Sequence, residues 1–449
     1  MRTNAVRNLA FLILVAGSGA LSAAAPAAET VRQRLWIWGH PAGVYNESYL
    51  VPLGRTSSIE PVDAARHMGI ANMIFVRDRG TPAPPFDAYY GPFRTLDRVY
   101  WSLVAAGGRT SQLERDAALA LAERNENIAG FILDDFFPEP AWGNAADPVP
   151  SSRLWFADNK PSFPVTLTVR APRAERCDAV ELVQTDWLTG DYRAKTVAIE
   201  LSADGETWNE AARGVVPTEP RAVLRLPVPE TPFAALRILF LDTHDRHGAF
   251  SVGLGGLRLL RAGRALDPSG WTAAASSTYQ GYDPSVLLAA PGAPEPPFKT
   301  SLTPADLRAL GEQKVRGRRL PIMCVIYTRQ IKERAKAHLA EVDQICMWTW
   351  RPADLEHLEA NFAALKKLVP GKQLFLGCYM YDFHESKPLP VALMRRQVEQ
   401  GHEWIEKGWI EGIIFLATAN VDVGLEAVDW TREWIRANGD RALRRSAAR

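Results

Sequence analysis

The chain predicts an α/β fold, a (β/α)8 TIM barrel interrupted after its fourth strand by an all-β sandwich. Three observations carry that expectation. Two sections alternate short apolar runs with amphipathic stretches, each section holds four such runs, and the stretch between them has strand patterning without helical period. Near-continuous apolar runs suit parallel strands covered on both faces. Four plus four of them, with helical connections, is the strand count of such a barrel. A doubly wound open sheet would call for a Gly-rich phosphate loop after a strand, and none follows any run here.

In order along the chain, Arg2 and Arg7 precede the apolar run Leu9 to Ala20 and a small-residue site ending at Ala27, so residues 1–27 read as a secretory signal. The run is too short to span a bilayer comfortably, and no later run reaches roughly 18 apolar residues. The expected product is secreted or periplasmic, with no membrane span after cleavage. The first half-barrel, 31–149, contains the strands Leu35–Trp38, Asn72–Val76, Val99–Leu103 and Ile128–Leu133, with a helix from Ser111 to Arg124. The second half, 298–440, contains Leu320–Tyr327, Gln344–Trp350, Gln373–Met380 and Gly412–Thr418. Helical spacing falls between them at Thr303–Val315, Ile331–Val342, Ala353–Leu368, Pro390–Lys407 and Leu425–Ala437. A basic tail, 441–449, closes the sequence.

Composition narrows the function classes. With 52 Lys+Arg against 51 Asp+Glu in 449 residues, the net charge of +1 gives no footprint for nucleic acid. A 47% hydrophobic content leaves ample core. The 4 cysteines stand singly, three of them inside apolar strands, so they read as buried thiols rather than disulfides or zinc ligands. No metal and no cofactor is expected. Fourteen tryptophans are many for this length, and they need a place in the structure.

The inserted stretch, 150–297, has strands at Pro164–Val169, Val197–Leu201, Ala222–Leu226 and Leu236–Phe240 separated by turn residues. Ile199-Glu-Leu-Ser-Ala-Asp-Gly-Glu-Thr-Trp208, with Leu236–Phe240 and Gly256–Leu260, resembles the discoidin-type (coagulation-factor C-domain) sandwich. That family often serves as a carbohydrate-binding module. The segment Gly270–Tyr282 is similar to the family's opening strand yet comes last here, as in a permuted domain. Following the fourth strand, the insert is expected to overhang the C-terminal mouth of the barrel, where barrel active sites are built.

Residues at the C-terminal strand ends should converge on that mouth. They are Trp38 and His40, Arg77 and Asp78, Trp101, Asp134 and Asp135, Tyr327 and Arg329, Trp348 and Trp350, Tyr379, Tyr381 and Asp382, then Thr418 and Asn420. Aromatic faces with scattered carboxylates and guanidiniums suit a sugar, whose rings stack and whose hydroxyls need polar partners. Asp134-Asp135 is the sharpest feature, the one adjacent acidic pair in the chain. Two carboxyls crowded at the end of an apolar strand hold one proton between them, which supplies the acid and the anion of glycoside hydrolysis. Asp78, between Arg77 and Arg79, reads as an ion-paired group ahead of a sugar ligand.

Gly130-Phe-Ile-Leu-Asp-Asp-Phe-Phe-Pro138 resembles two sets of barrel glycosidases. One is the glycosyl-hydrolase-like group of bacterial cell-wall glycan hydrolases, with an Asp-Asp-Tyr-Phe-type sequence after the corresponding strand. The other is the O-GlcNAcase-type hexosaminidases, in which adjacent aspartates support substrate-assisted catalysis. The resemblance implies an exported glycoside hydrolase acting on a poly- or oligosaccharide. Asp135 is then the general acid, Asp134 the orienting or charge-stabilising group, Asp382 a reserve base or nucleophile, and Trp348 a stacking platform. Two other classes remain open: a non-catalytic glycan-binding surface protein on a barrel scaffold, and a polysaccharide lyase in which Arg77 and Arg329 bind a carboxylate and a tyrosine takes a proton.

Overall fold

The computed structural model describes residues 28–138, 142–147, 153–187, 190–245, 250–279, 282–289 and 297–443. The signal reading (1–27) and most of the basic tail fall outside them. Eight parallel strands close a barrel: β1 (Leu35–Gly39), β2 (Asn72–Phe75), β3 (Arg98–Val104), β4 (Ile128–Leu133), β5 (Ile322–Tyr327), β6 (Gln344–Trp348), β7 (Gln373–Tyr379) and β8 (Gly412–Leu416). β4 pairs directly with β5 across the long insertion, with Ile322 opposite Phe131 and Cys324 opposite Leu133. β8 closes on β1 through Leu35–Ile413 and Trp38–Leu416.

The strands are apolar nearly throughout because both faces are covered, one by the barrel interior and one by the outer helices. Those helices are of uneven weight. Gln112–Arg124, Leu358–Leu368, Val391–Glu406 and Glu426–Asn438 are full helices, whereas the stretch expected as one helix from Ile331 to Val342 forms only a 3-10 turn and the single turn Lys336–Leu339. The helix after β3 begins at a capping box in which Ser111 and Glu114 satisfy each other's backbone N–H groups.

Several tryptophans fill the barrel. Trp36 meets Tyr100 at 5.1 Å and Phe375 at 6.3 Å. Those rings come from β3 and β7, neither a neighbour of β1, so all three lie inside. One strand period further on, Trp38 meets Trp348 of β6 at 5.3 Å, at the mouth. Trp348 lies flat on β7, where a Cβ at Gly377 would come within 2.0 Å of its ring. Gly377 is therefore the residue that makes room for this indole.

Between β4 and β5, two antiparallel sheets share a separate core. One is built on Ala179–Gln184 and Gly253–Arg261, the other on Val165–Glu175, Thr196–Ser202 and Phe233–Phe240. Val165, Leu167, Val180, Leu182, Ile199, Ile238 and Leu257 meet between them. All four cysteines are buried and unbridged.

Candidate active site

A cleft of about 360 Å³ opens at the C-terminal ends of the strands. Of the strand-end candidates, Trp38, His40, Asp78, Asp134, Asp135, Tyr327, Trp348, Trp350 and Tyr379 line it. The loops add Tyr45, Ser48 and Tyr49 after β1, Arg79 after β2, Ala106 after β3 and Phe383 after β7.

Successive residues of a strand point to opposite faces, so two adjacent aspartates should not share a cleft. They do here because β4 ends at Leu133 and Asp135 has a left-handed backbone, φ 43°. That conformation costs a non-glycine residue roughly 1–2 kcal/mol, and the Asp135 side chain lines the same cleft as that of Asp134. The loop after β3 holds it there: the Gly107 N–H donates to Asp135 Oδ2 at 2.9 Å. At Gly108, φ 68°, any Cβ would come within 2.7 Å of the Asp135 carbonyl oxygen. Tyr327 Oη donates to Asp135 Oδ1 at 2.7 Å.

The two carboxyls have unlike surroundings. Asp134 is 6% exposed. Burial first, then the negative charges of Asp135 and Asp78, push its carboxyl well above the usual carboxylate range, against the pull of the Asp135 N–H. Asp135 is half-buried and accepts two hydrogen bonds, from the Gly107 N–H and the Tyr327 hydroxyl. Burial likewise pushes the hydroxyls of Tyr45, Tyr327 and Tyr379 well above the ordinary tyrosine value, with Asp134 and Asp135 adding to it.

His40 is held neutral. Its Nδ1 faces the Val76 carbonyl at 3.0 Å, which can only accept, and its Nε2 faces the Trp38 indole N–H at 3.0 Å, which can only donate. The proton therefore sits on Nδ1, and burial lowers the ring's pKa despite Asp78 nearby. With both nitrogens engaged, His40 has no ring N–H left for a substrate and acts as a wall of the cleft.

The cleft rim is aromatic. Tyr45, Tyr49 and Phe383 meet edge to face at 4.9–5.3 Å. Half-buried Trp350 packs edge-on against Tyr327 at 5.9 Å and Tyr379 at 5.8 Å. Asp78 and Arg79 enter on a tight turn in which Asp78 and Thr81 exchange backbone hydrogen bonds across Arg79 (φ 47°) and Gly80 (φ 78°). Among the described residues no hydrogen bond or ion pair reaches the Asp78 carboxylate. The ion-pair reading of Asp78 is thus corrected, because Arg77 turns away to Glu114 at 2.6 Å.

The remaining candidates do not line the cleft. Arg77 is buried behind it. Trp101 is packed on Phe75 at 4.7 Å, and Arg329 is buried elsewhere. Tyr381 donates its hydroxyl to the Tyr49 carbonyl at 2.7 Å. Asp382 caps its own turn, accepting the His384 and Glu385 N–H groups at 3.1 Å. Asn420 is fully buried against the Ala417 N–H. Tyr45, Tyr49, Arg79 and Phe383 were not legible as site residues because they sit on loops, past the strand ends where alternation can be read. The only local signal for them is the spacing of Tyr45 and Tyr49 just after His40. Among the described residues no group of three or more His, Cys, Asp or Glu side chains is arranged to hold a metal.

No protein-family profile and no curated protein matches the chain. Solved structures similar to part of it are carbohydrate-binding domains of the CBM32, discoidin-like kind. One, from a family 31 glycoside hydrolase of Clostridium perfringens, has 16% identity and a TM-score of 0.22, and covers 27% of this chain and 84% of that one. A second from Clostridium perfringens, in complex with GalNAc-β-1,3-galactose, has 12% identity and a TM-score of 0.22, covering 28% and 91%. The C-terminal domain of a chitobiase from Bacteroides fragilis has 15% identity and a TM-score of 0.19, covering 22% and 64%. At this extent the likenesses bear on neither the barrel nor its cleft.

Proposed function

We propose that the protein is an exported glycoside hydrolase that cleaves a poly- or oligosaccharide at the mouth of a (β/α)8-type barrel. One observation carries the reading: adjacent aspartates line one aromatic-walled cleft, Asp134 buried and Asp135 held by two hydrogen-bond donors. Asp134 is the proton donor to the leaving oxygen, and Asp135 stabilises the positive charge that develops on the sugar. The sequence reading gives the proton to Asp135; the burial of Asp134 and the two donors on Asp135 favour the reverse. Asp78, unpartnered in the same cleft, replaces Asp382 as the further carboxylate available to a sugar hydroxyl or a water. Trp350 and Tyr49 offer ring faces to the substrate.

The lyase reading is weaker on this geometry. The cleft tyrosines are held above their ordinary pKa and make poor bases, and neither Arg77 nor Arg329 lines the cleft.

A glycan panel with purified protein finds the substrate, and paired leaving groups then test the roles. Asp134→Asn should cut turnover of a glycoside with a poor leaving group by about 10²–10⁴-fold, with a much smaller loss on an activated aryl glycoside. It should also flatten the alkaline limb of the pH profile. Asp135→Asn should slow both substrates. Full activity of both variants would refute the assignment, and binding without turnover by the wild type would select the non-catalytic class.

A further inference from the structure

We propose that Trp142 is a distal sugar-stacking residue that extends the cleft, so that the substrate is an oligosaccharide chain spanning several subsites rather than a single terminal sugar. The inference rests on the glycosidase reading above and adds a subsite and a substrate class to it. Trp142 lies in the segment 142–147, eight residues beyond Asp134, and its indole is only partly buried.

That short segment is fastened with unusual thoroughness for a surface strap. Asp354, 2% exposed, accepts the Gly143 N–H at 2.8 Å and the Asn144 side-chain amide at 3.3 Å. Asn361, 1% exposed, accepts the Ala145 N–H at 2.8 Å and donates back to Asn144 Oδ1 at 2.9 Å. Thr328 donates to the Gly143 carbonyl, and Lys332 donates to the carbonyls of Ala145 and Asp147. Anchors thus come from the loop after β5, the loop after β6 and the helix Leu358–Leu368. Burying Asp354 and Asn361 costs free energy unless their polar atoms are partnered, and here the partners are the Gly143 and Ala145 N–H groups and the Asn144 side chain of this segment, with Arg351 paired to Asp354.

The clamp places Trp142 beside the site on two sides. Its ring lies 6.1 Å from His384, tilted by 40°. His384 directly follows Phe383, which lines the cleft. On the other side, Asp354 and its partner Arg351 belong to the same loop as Trp350, also a cleft residue. A partly open indole on the first residue of this fastened segment, next to an aromatic cleft, presents a ring on which a pyranose can settle, the backbone beneath it already ordered. A sugar chain leaving the aspartate pair past Trp350 and Phe383 reaches this ring next.

The test is a ladder of oligosaccharides of the active glycan, with an aryl glycoside of the same sugar at its short end. Wild-type kcat/KM should rise with chain length. Trp142→Ala should remove about tenfold of that rise, mainly through KM, while costing far less on the aryl glycoside. Trp142→Phe should restore most of it. Asp354→Ala, which releases the strap, should reproduce the same length-dependent loss together with a lower melting temperature. Wild-type rates independent of length, or a Trp142→Ala loss equal at every length, would overturn the subsite while leaving the glycosidase reading standing. A wild type that cleaves and binds no glycan would overturn both.

Discussion

Trp348 separates a cleft platform from a structural ring. The sequence places it among the sugar-binding aromatics and expects Trp348→Ala to weaken binding more than folding. In the structure it is 1% exposed, flat on Gly377, and edge-on to Trp38. Truncating a buried tryptophan costs about 3–5 kcal/mol, because transfer energy is lost and the barrel interior cannot collapse onto the space. At about 2–4 °C per kcal/mol for a body of 150–250 residues, Tm should fall by roughly 6–20 °C. The partner position gives the sharper assay. Gly377→Ala alone would drive a methyl to within 2.0 Å of the indole and should destabilise strongly. In the Trp348→Ala background the same methyl enters vacated space, so it should cost little or restore part of the loss. The double-mutant cycle should therefore be non-additive, with a coupling of about 1–3 kcal/mol in chemical denaturation. Additive effects, or an unchanged Tm for Trp348→Ala, would show that the ring does not support the barrel.

Further outcomes follow from the same geometry. Asp134 is raised in the fold, so its proton is bound equally by both states below the ordinary value of 3.8. Above that pH only the unfolded chain ionises, and stability is lost as pH rises toward the raised value. Asp134→Asn should abolish this decline, so its Tm advantage over wild type should widen from about pH 4 upward; a constant difference would argue against a buried neutral carboxyl. Tyr327→Phe removes a hydroxyl donor from Asp135 and should lower kcat by about 10–100-fold, the worth of a hydrogen bond to a charged group, with a much smaller change in Tm. Replacing the inserted sheets by a short linker should leave the helical circular dichroism of a folded barrel, since β4 and β5 are direct neighbours and the insert has its own core. Cooperative loss of that signal would sink the prediction.

Much of the frame was legible in one dimension because it depends on local pattern. Runs such as Ile128–Leu133 and Gly412–Leu416 are apolar on both faces, which only a covered parallel strand requires. The change of texture between the half-barrels announced a separate β core, and Asp134-Asp135 stood out because an acidic pair at the end of such a strand must be partnered or functional. The division of labour at the mouth was not legible. Trp348 and Trp350 have the same spacing along their strand, yet one is covered by the rings of β1 and β7 while the other projects beyond the last strand pairing. Asp382 and Asp78 are both carboxylates near strand ends, yet the first caps its own turn and the second is left free by the turn to Arg79. That the two aspartates share one cleft depends on a single left-handed residue held by Gly107 and Tyr327, which come from strand ends distant in sequence. Alternation along a strand names two faces, but closing the barrel and docking its loops decide which groups meet, and those contacts are long-range.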